Sequence, residues 1–243
     1  MPDKSTLSDE FFAAVKPTRL TVFIGAYGSG KSEISVNYAL ALRETGRPVI
    51  IADLDIINPY FRSTDARKLL EHNDVELLKT IYANTNVDVP AVPASVFGLF
   101  DRKDRYGVMD IGGEDLGARV LGSLRNRFPA ADSPDHASVY MVVNANRPFT
   151  ATAAQVREIA DMLSAASGLS ISGLVNNTNL LEFSDASMLL EADAMIKEAS
   201  RLTGIPLSFA AARDDRVPAE WGSRLPDGLP LLRLQRSIFY PTE

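Results

Sequence analysis

Apolar residues fall along this chain in short continuous runs, separated by longer stretches with helical spacing. The run Leu20-Thr21-Val22-Phe23-Ile24 predicts a strand over about 19–24. The segment Lys31 to Glu44 spaces Ile34, Val36, Tyr38, Leu40 and Leu42 as a helix does, and Gly46 stands where a helix cap is expected. Pro48-Val49-Ile50-Ile51-Ala52-Asp53 reads as a buried parallel strand that ends in an acid, and Tyr106-Gly107-Val108-Met109-Asp110 repeats that pattern. Ala137 to Val143, Leu169 to Val175 and a last short strand at Leu207 to Ala210 complete the predicted strands. Helices are predicted at 63–72, 94–100, 115–127 and 185–202, the last with Leu189, Ile196 and Leu202 on its core side. Another is capped by Thr150 or Thr152, spaces Val156, Ile159 and Leu163 along one face, and ends at Gly168.

Alternating strands and helices imply an α/β fold: a doubly wound, mainly parallel sheet with helices on both faces. One domain is expected over 1–243, with a loose or helical lead-in at 1–18 and a C-terminal extension at 216–243. The segment 54–104 is the least regular, because Asn58-Pro59, Val89-Pro90 and Val92-Pro93 break any long element. A lid or docking surface is the expectation for it.

Between the first strand and the first long helix lies Gly25-Ala26-Tyr27-Gly28-Ser29-Gly30-Lys31-Ser32, a G-x-x-x-x-G-K-[ST] phosphate loop in strand–loop–helix context. Glycines let the backbone curl until several N–H groups point at one anion, and the helix adds its positive end. Lys31 can reach the outer phosphates, and the Ser32 hydroxyl can ligate Mg²⁺. A nucleoside triphosphate is the expected ligand.

In such a sheet, ligands sit beyond the carboxyl ends of the strands. The residues there are Asp53-Leu54-Asp55, then Asp110-Ile111-Gly112-Gly113-Glu114, Asn144-Ala145-Asn146-Arg147 and Asn176-Asn177-Thr178-Asn179. Asp110 fits a Walker B acid that holds Mg²⁺ directly or through water, or else an acid that ends a strand. Gly112 or Gly113 can donate a backbone N–H to a γ-phosphate. Asp53 and Asp55, two apart in extended chain, point to one side. Asp53 is expected at the metal and Asp55 at the attacking water, with a capping or solvated role as the alternative for either. Arg62, Arg119 and Arg147 are candidate phosphate or partner contacts, or solvated surface arginines. His72 and His136 have no metal-ligand company, and Met188 and Met195 read as packing.

Composition narrows the classes. Of 243 residues, 46% are hydrophobic and 23% charged, which is ordinary globular composition. A net charge of −6 argues against nonspecific binding to nucleic acid or an anionic membrane. No apolar stretch reaches membrane-spanning length, and the N-terminus lacks the order of a secretory signal, so a cytoplasmic protein is expected. With no cysteine, disulfides, thiolate zinc sites, cysteine nucleophiles and cysteine-ligated iron–sulfur clusters are excluded.

The loop 25–32, the Asp53-Leu54-Asp55 strand end and Asp110-x-Gly-Gly resemble the MinD/ParA/CobQ-type, or SIMIBI, branch of P-loop NTPases. The resemblance covers the order of elements over roughly 18–215, with motif identity limited to the loop. It implies a three-layer P-loop fold, ATP and Mg²⁺ as cofactors, and metal or hydrolytic roles for Asp53 and Asp55. It implies an adenine-reading asparagine at Asn177 or Asn176, and a loop at Ala212-Arg213-Asp214-Asp215 that closes over the base. The sequence lacks the second loop lysine of ATP-dimerising members, since Ala26 stands there. It also lacks a basic amphipathic C-terminal helix, so no membrane anchor is expected. The guanine-selective N-K-x-D tetrad is missing from Asn176-Asn177-Thr178-Asn179, which favours adenine.

A slow ATPase that acts as a nucleotide switch for a protein partner is the first functional expectation, a homodimer being possible. An ATP-dependent small-molecule kinase or ligase, like the dethiobiotin or cobyrinate-amidating relatives, is the alternative. A DNA-partition or scaffold role fits the acidic balance and Ala26 less well.

Overall fold

The computed structural model describes residues 3–55, 64–78, 92–130, 132–133 and 135–237, apart from the side chains of 64–66 and 114. The segment Asn58 to Arg62, the Val89-Pro90 break and the end of the chain from Ile238 lie outside the described residues.

The chain starts with α1 (Lys4–Val15), β1 (Leu20–Gly25), α2 (Lys31–Glu44) and β2 (Val49–Leu54). Then come α3 (Thr64–His72), β3 (Val75–Leu78), α4 (Gly98–Asp101), β4 (Tyr106–Ile111) and α5 (Glu114–Ser123). The second half contributes β5 (Ala137–Val143), α6 (Ala153–Ser167), β6 (Gly173–Asn176), α7 (Ala186–Thr203), β7 (Leu207–Arg213) and β8 (Leu231–Leu234). All named strands pair in parallel, in the order β3-β2-β4-β1-β5-β6-β7-β8. The architecture is the three-layer α/β fold of P-loop NTPases.

Side-chain alternation along the strands builds two cores. Leu20, Val22 and Ile24 of β1 share one core with Leu121 of α5, Val156 and Leu163 of α6 and Ile196 of α7. Phe23, on the other face, joins Phe11 and Phe12 of α1, Tyr38 of α2, Tyr140 and Phe209. Most of these rings meet edge-on, as in Phe11–Phe209 at 5.2 Å and Phe12–Tyr38 at 5.0 Å, while Phe23–Tyr140 and Tyr38–Phe209 stack, and such pairs add about 0.5–1.5 kcal/mol each to simple burial. α6 starts with a full capping box, in which Thr152 accepts from the Gln155 N–H and Gln155 accepts from the Thr152 N–H. That settles the cap at Thr152 rather than Thr150, whose hydroxyl instead donates to Asn144 O.

Four expectations change. β3 lies inside the segment read as irregular; it is four residues long and pairs with β2 as an edge strand. β8 lies inside the segment read as a C-terminal extension, and it reaches β7 through 3₁₀ turns rather than a helix. The predicted strand from Leu169 begins only at Gly173. The helix read over 94–100 is a 3₁₀ turn at Ala94–Phe97 that runs into α4.

Candidate functional site

β1 stands at the point where the winding reverses, with β4 on one side and β5 on the other. Crevices form at such a switch point, so the loops after β1, β4 and β5 meet there. The phosphate loop takes left-handed backbone at Gly28 (φ 73°) and Gly30 (φ 90°). At Gly30 a side chain is excluded twice, because a Cβ would also stand 2.2 Å from Asn177 Nδ2. Gly25 leaves β1 beneath the loop, where a Cβ would meet Val142 O at 2.5 Å. The N–H groups of the first turn of α2 have no partner within a helix and suit an anion. Lys31 is buried and its Nζ donates to Ala26 O at 2.9 Å, folded over its own loop. The Ser29 side chain is buried under the loop, so Ser29 faces the site by its backbone. Tyr27 is exposed.

Asp53 and Asp110 are register partners on β2 and β4, and both are buried. The Ser32 hydroxyl bonds to Asp110, and Ser35 Oγ donates to Asp110 Oδ1 at 3.3 Å. Burial first, then the charge of Asp53, pushes the Asp110 carboxyl up to about 7, against the pull of Ser32 and Lys31. Asp55 adds to that repulsion, and its N–H donates to Asp53 Oδ1 at 3.0 Å. The Asp55 carboxylate lies over Gly112, where a Cβ would stand 2.7 Å from Oδ1. Gly113 backs onto the phosphate loop, with its Cβ position 3.2 Å from Tyr27 Cα.

Two carboxylates and a hydroxyl, gathered beside one lysine, carry surplus negative charge in a buried place. That donor set fits Mg²⁺, which takes one or two carboxylates and completes its shell with phosphate and water. Asp53, Asp110 and Ser32 are the residues that would hold it. Among the described residues no cluster of three or more His, Cys, Asp or Glu is arranged to hold a metal by itself.

On the other side of the loop, Asn177 Nδ2 donates to Ser29 O at 2.7 Å. Asn176 is turned inward: fully buried, it donates to Leu189 O and accepts from the Thr178 N–H. Of the pair, Asn177 is the one that faces the adjoining cavity of about 130 Å³. Arg147 and Arg213 also line this cavity. Arg213 is the last residue of β7, and Asp214–Arg216 forms a 3₁₀ turn beyond it. Arg119 pairs with Asp115 on the exposed face of α5. His72 and His136 are exposed, Met195 packs on the core, and Asn146 Nδ2 lies 3.0 Å from Met188 Sδ. Arg62 lies outside the described residues.

A charge cluster in the cavity wall escaped the sequence reading. Glu182 accepts from Arg213 at 3.0 Å, Arg216 at 2.9 Å and Arg236 at 2.7 Å, and those arginines hold its carboxyl below the usual range. Nothing in the sequence signals it, since Glu182 comes from the 3₁₀ turn after β6, Arg213 and Arg216 from the end of β7 and its 3₁₀ turn, and Arg236 from the chain after β8. Glu33, also in the wall, accepts from the Ser237 N–H at 2.6 Å.

Fold and loop together define the class, the P-loop NTPase fold. Particular solved structures share it. The cell division protein FtsY of Thermotoga maritima aligns over 86% of this chain and 70% of its own, with TM-score 0.53 and 17% identity. The signal recognition particle receptor FtsY of Elizabethkingia anophelis aligns over 86% and 64%, with TM-score 0.51 and 18% identity. FtsY of Mycoplasma mycoides aligns over 86% and 69%, with TM-score 0.50 and 20% identity. The likeness is one of fold. No family model matches the chain, and no curated protein does. Among the described residues no helix is long and apolar enough to cross a membrane.

Proposed function

We propose that the chain binds a nucleoside triphosphate with Mg²⁺, ATP being the nucleotide its sequence favours, and hydrolyses it slowly as a switch read by a protein partner. The observation that carries this is the closure of the phosphate loop against the buried Asp53–Asp110 pair, with Ser32 hydrogen-bonded to Asp110. In this reading Lys31 leaves Ala26 O and donates to the outer phosphates, while the loop N–H groups hold the inner ones. Bound Mg²⁺ supplies positive charge that offsets the phosphates and the two carboxylates. Asp55, beside Gly112 and next to the pair, orients the attacking water and takes its proton. Gly113, packed on Tyr27, couples the loop after β4 to the state of the phosphates, and a partner reads that loop. A MinD/ParA-like branch assignment and a cytoplasmic setting belong to the same reading.

The test is phosphate release from ATP and Mg²⁺ by the purified protein alone. Slow release that Lys31→Ala abolishes supports the switch. Release only after a metabolite extract is added sinks it and favours the kinase or ligase alternative.

A further inference from the structure

Arg147 touches the phosphate loop from the side opposite the carboxylates. Its Nε donates to Gly28 O at 3.1 Å. The guanidinium lies so close that a Cβ on Gly28 would stand 3.3 Å from Nε and 3.4 Å from Cζ. The bond takes a loop carbonyl, as does that of Asn177 to Ser29 O, so neither residue competes with an anion for the loop N–H groups.

Among the described residues the rest of the guanidinium has no partner. Three carboxylates, Glu33, Glu182 and Asp185, line the same cavity, and three other arginines there converge on Glu182. Arg147 pairs with none of them, and among the described residues its two terminal amino groups make no hydrogen bond. Its place is fixed by the turn after β5 rather than by an ion pair. The Arg147 N–H donates to Asn144 O, which also accepts from the Thr150 hydroxyl. Asn144, fully buried, accepts from the N–H groups of Asn146 and Asn179 through Oδ1. An arginine held this way loses little freedom when a ligand arrives.

The cavity runs from Gly28 and Gly30 to a wall that includes Leu181, Leu189, Val217 and Leu234. Aliphatic groups set among hydrogen-bonding and charged side chains, next to the phosphate loop, match a ligand with a phosphate tail and a flat head that carries polar edges. We propose that Arg147 is the platform for the nucleoside half of the bound nucleotide: its planar guanidinium supports the base and its free amino groups face the sugar. Guanidinium planes stack on flat π-systems, and a lysine in the same place would keep the charge but not the plane. The inference rests on the nucleotide reading above and adds a residue that discriminates the nucleoside from the phosphates.

Competition binding separates the two halves of the ligand. ATP and inorganic tripolyphosphate, each with Mg²⁺, are measured against wild type, Arg147→Ala and Arg147→Lys, with melting temperatures alongside. Both variants should bind ATP about tenfold more weakly and tripolyphosphate as wild type does. Arg147→Lys can still donate to Gly28 O, so it guards against a collapse of the loop. Parallel weakening of tripolyphosphate, or unchanged ATP binding, overturns the platform. Wild type that binds tripolyphosphate as tightly as ATP overturns it while the phosphate-loop reading stands. Wild type that binds neither overturns both.

Discussion

Asp53 and Asp110 stand opposite each other in register on β2 and β4, both carboxylates buried and pointing to one face of the sheet. Neighbouring strands lie about 4.8 Å apart, so two ionised groups there repel through a medium of low polarisability. The positive charge of Lys31 acts on Asp110 against that repulsion. The pair is therefore poised to take up either a proton or a metal.

Without a cation, this arrangement sets a pH dependence of stability. Burial and the neighbouring Asp53 push the folded Asp110 carboxyl up to about 7, against an ordinary 3.8 for the free side chain. Between those values the folded state holds a proton that the unfolded state has released, so stability falls as pH rises. The contribution is full below 3.8 and is lost as pH passes about 7. Asp53, Asp55, Lys31 and Ser32 face the group and shape its titration. In a chelator, melting temperature should decline over this window, and Asp110→Asn should flatten the decline.

Gly30→Ala should cost about 1–3 kcal/mol of stability and abolish triphosphate binding. Its backbone is left-handed, and a methyl group would displace the Asn177 amide from Ser29. Denaturant unfolding and nucleotide titration check the two halves separately. A variant of wild-type stability would show that the loop relaxes freely.

Asp55→Asn should keep ATP binding while hydrolysis falls about 10²-fold or more, because the amide cannot accept the proton of water. Single-turnover phosphate release against equilibrium binding makes the distinction. Lost binding would move Asp55 to the metal or to the support of Gly112.

Thr152→Ala should destabilise the protein by about 1 kcal/mol, through loss of the α6 capping box, with nucleotide affinity unchanged. A melting curve with and without ATP reads both effects.

Much of this was legible in the sequence because it rests on local signals. The loop 25–32 announces itself by spacing alone, and α2 starts and ends at Lys31 and Glu44 as its apolar positions predict. Asp53 and Asp110 were legible as acids at strand ends, but their register is a property of the sheet. β3 and β8 escaped because four-residue strands carry no period, and β8 follows turns rather than a helix. Asn176 and Asn177 look alike in the sequence; the pleat sends one to Leu189 and the other to the phosphate loop. Arg147 reads as one of three candidate phosphate or partner contacts, or else a surface arginine, and only the locked turn after β5 sets it against Gly28.

Nucleotide binding itself is the central property, and titration calorimetry of ATP with Mg²⁺ into wild type and Lys31→Ala measures it most directly. Wild type should show saturable binding at one site per chain, weakened at least about tenfold by Lys31→Ala. Equal binding by the two proteins, or no binding by wild type of any nucleoside triphosphate, would contradict it.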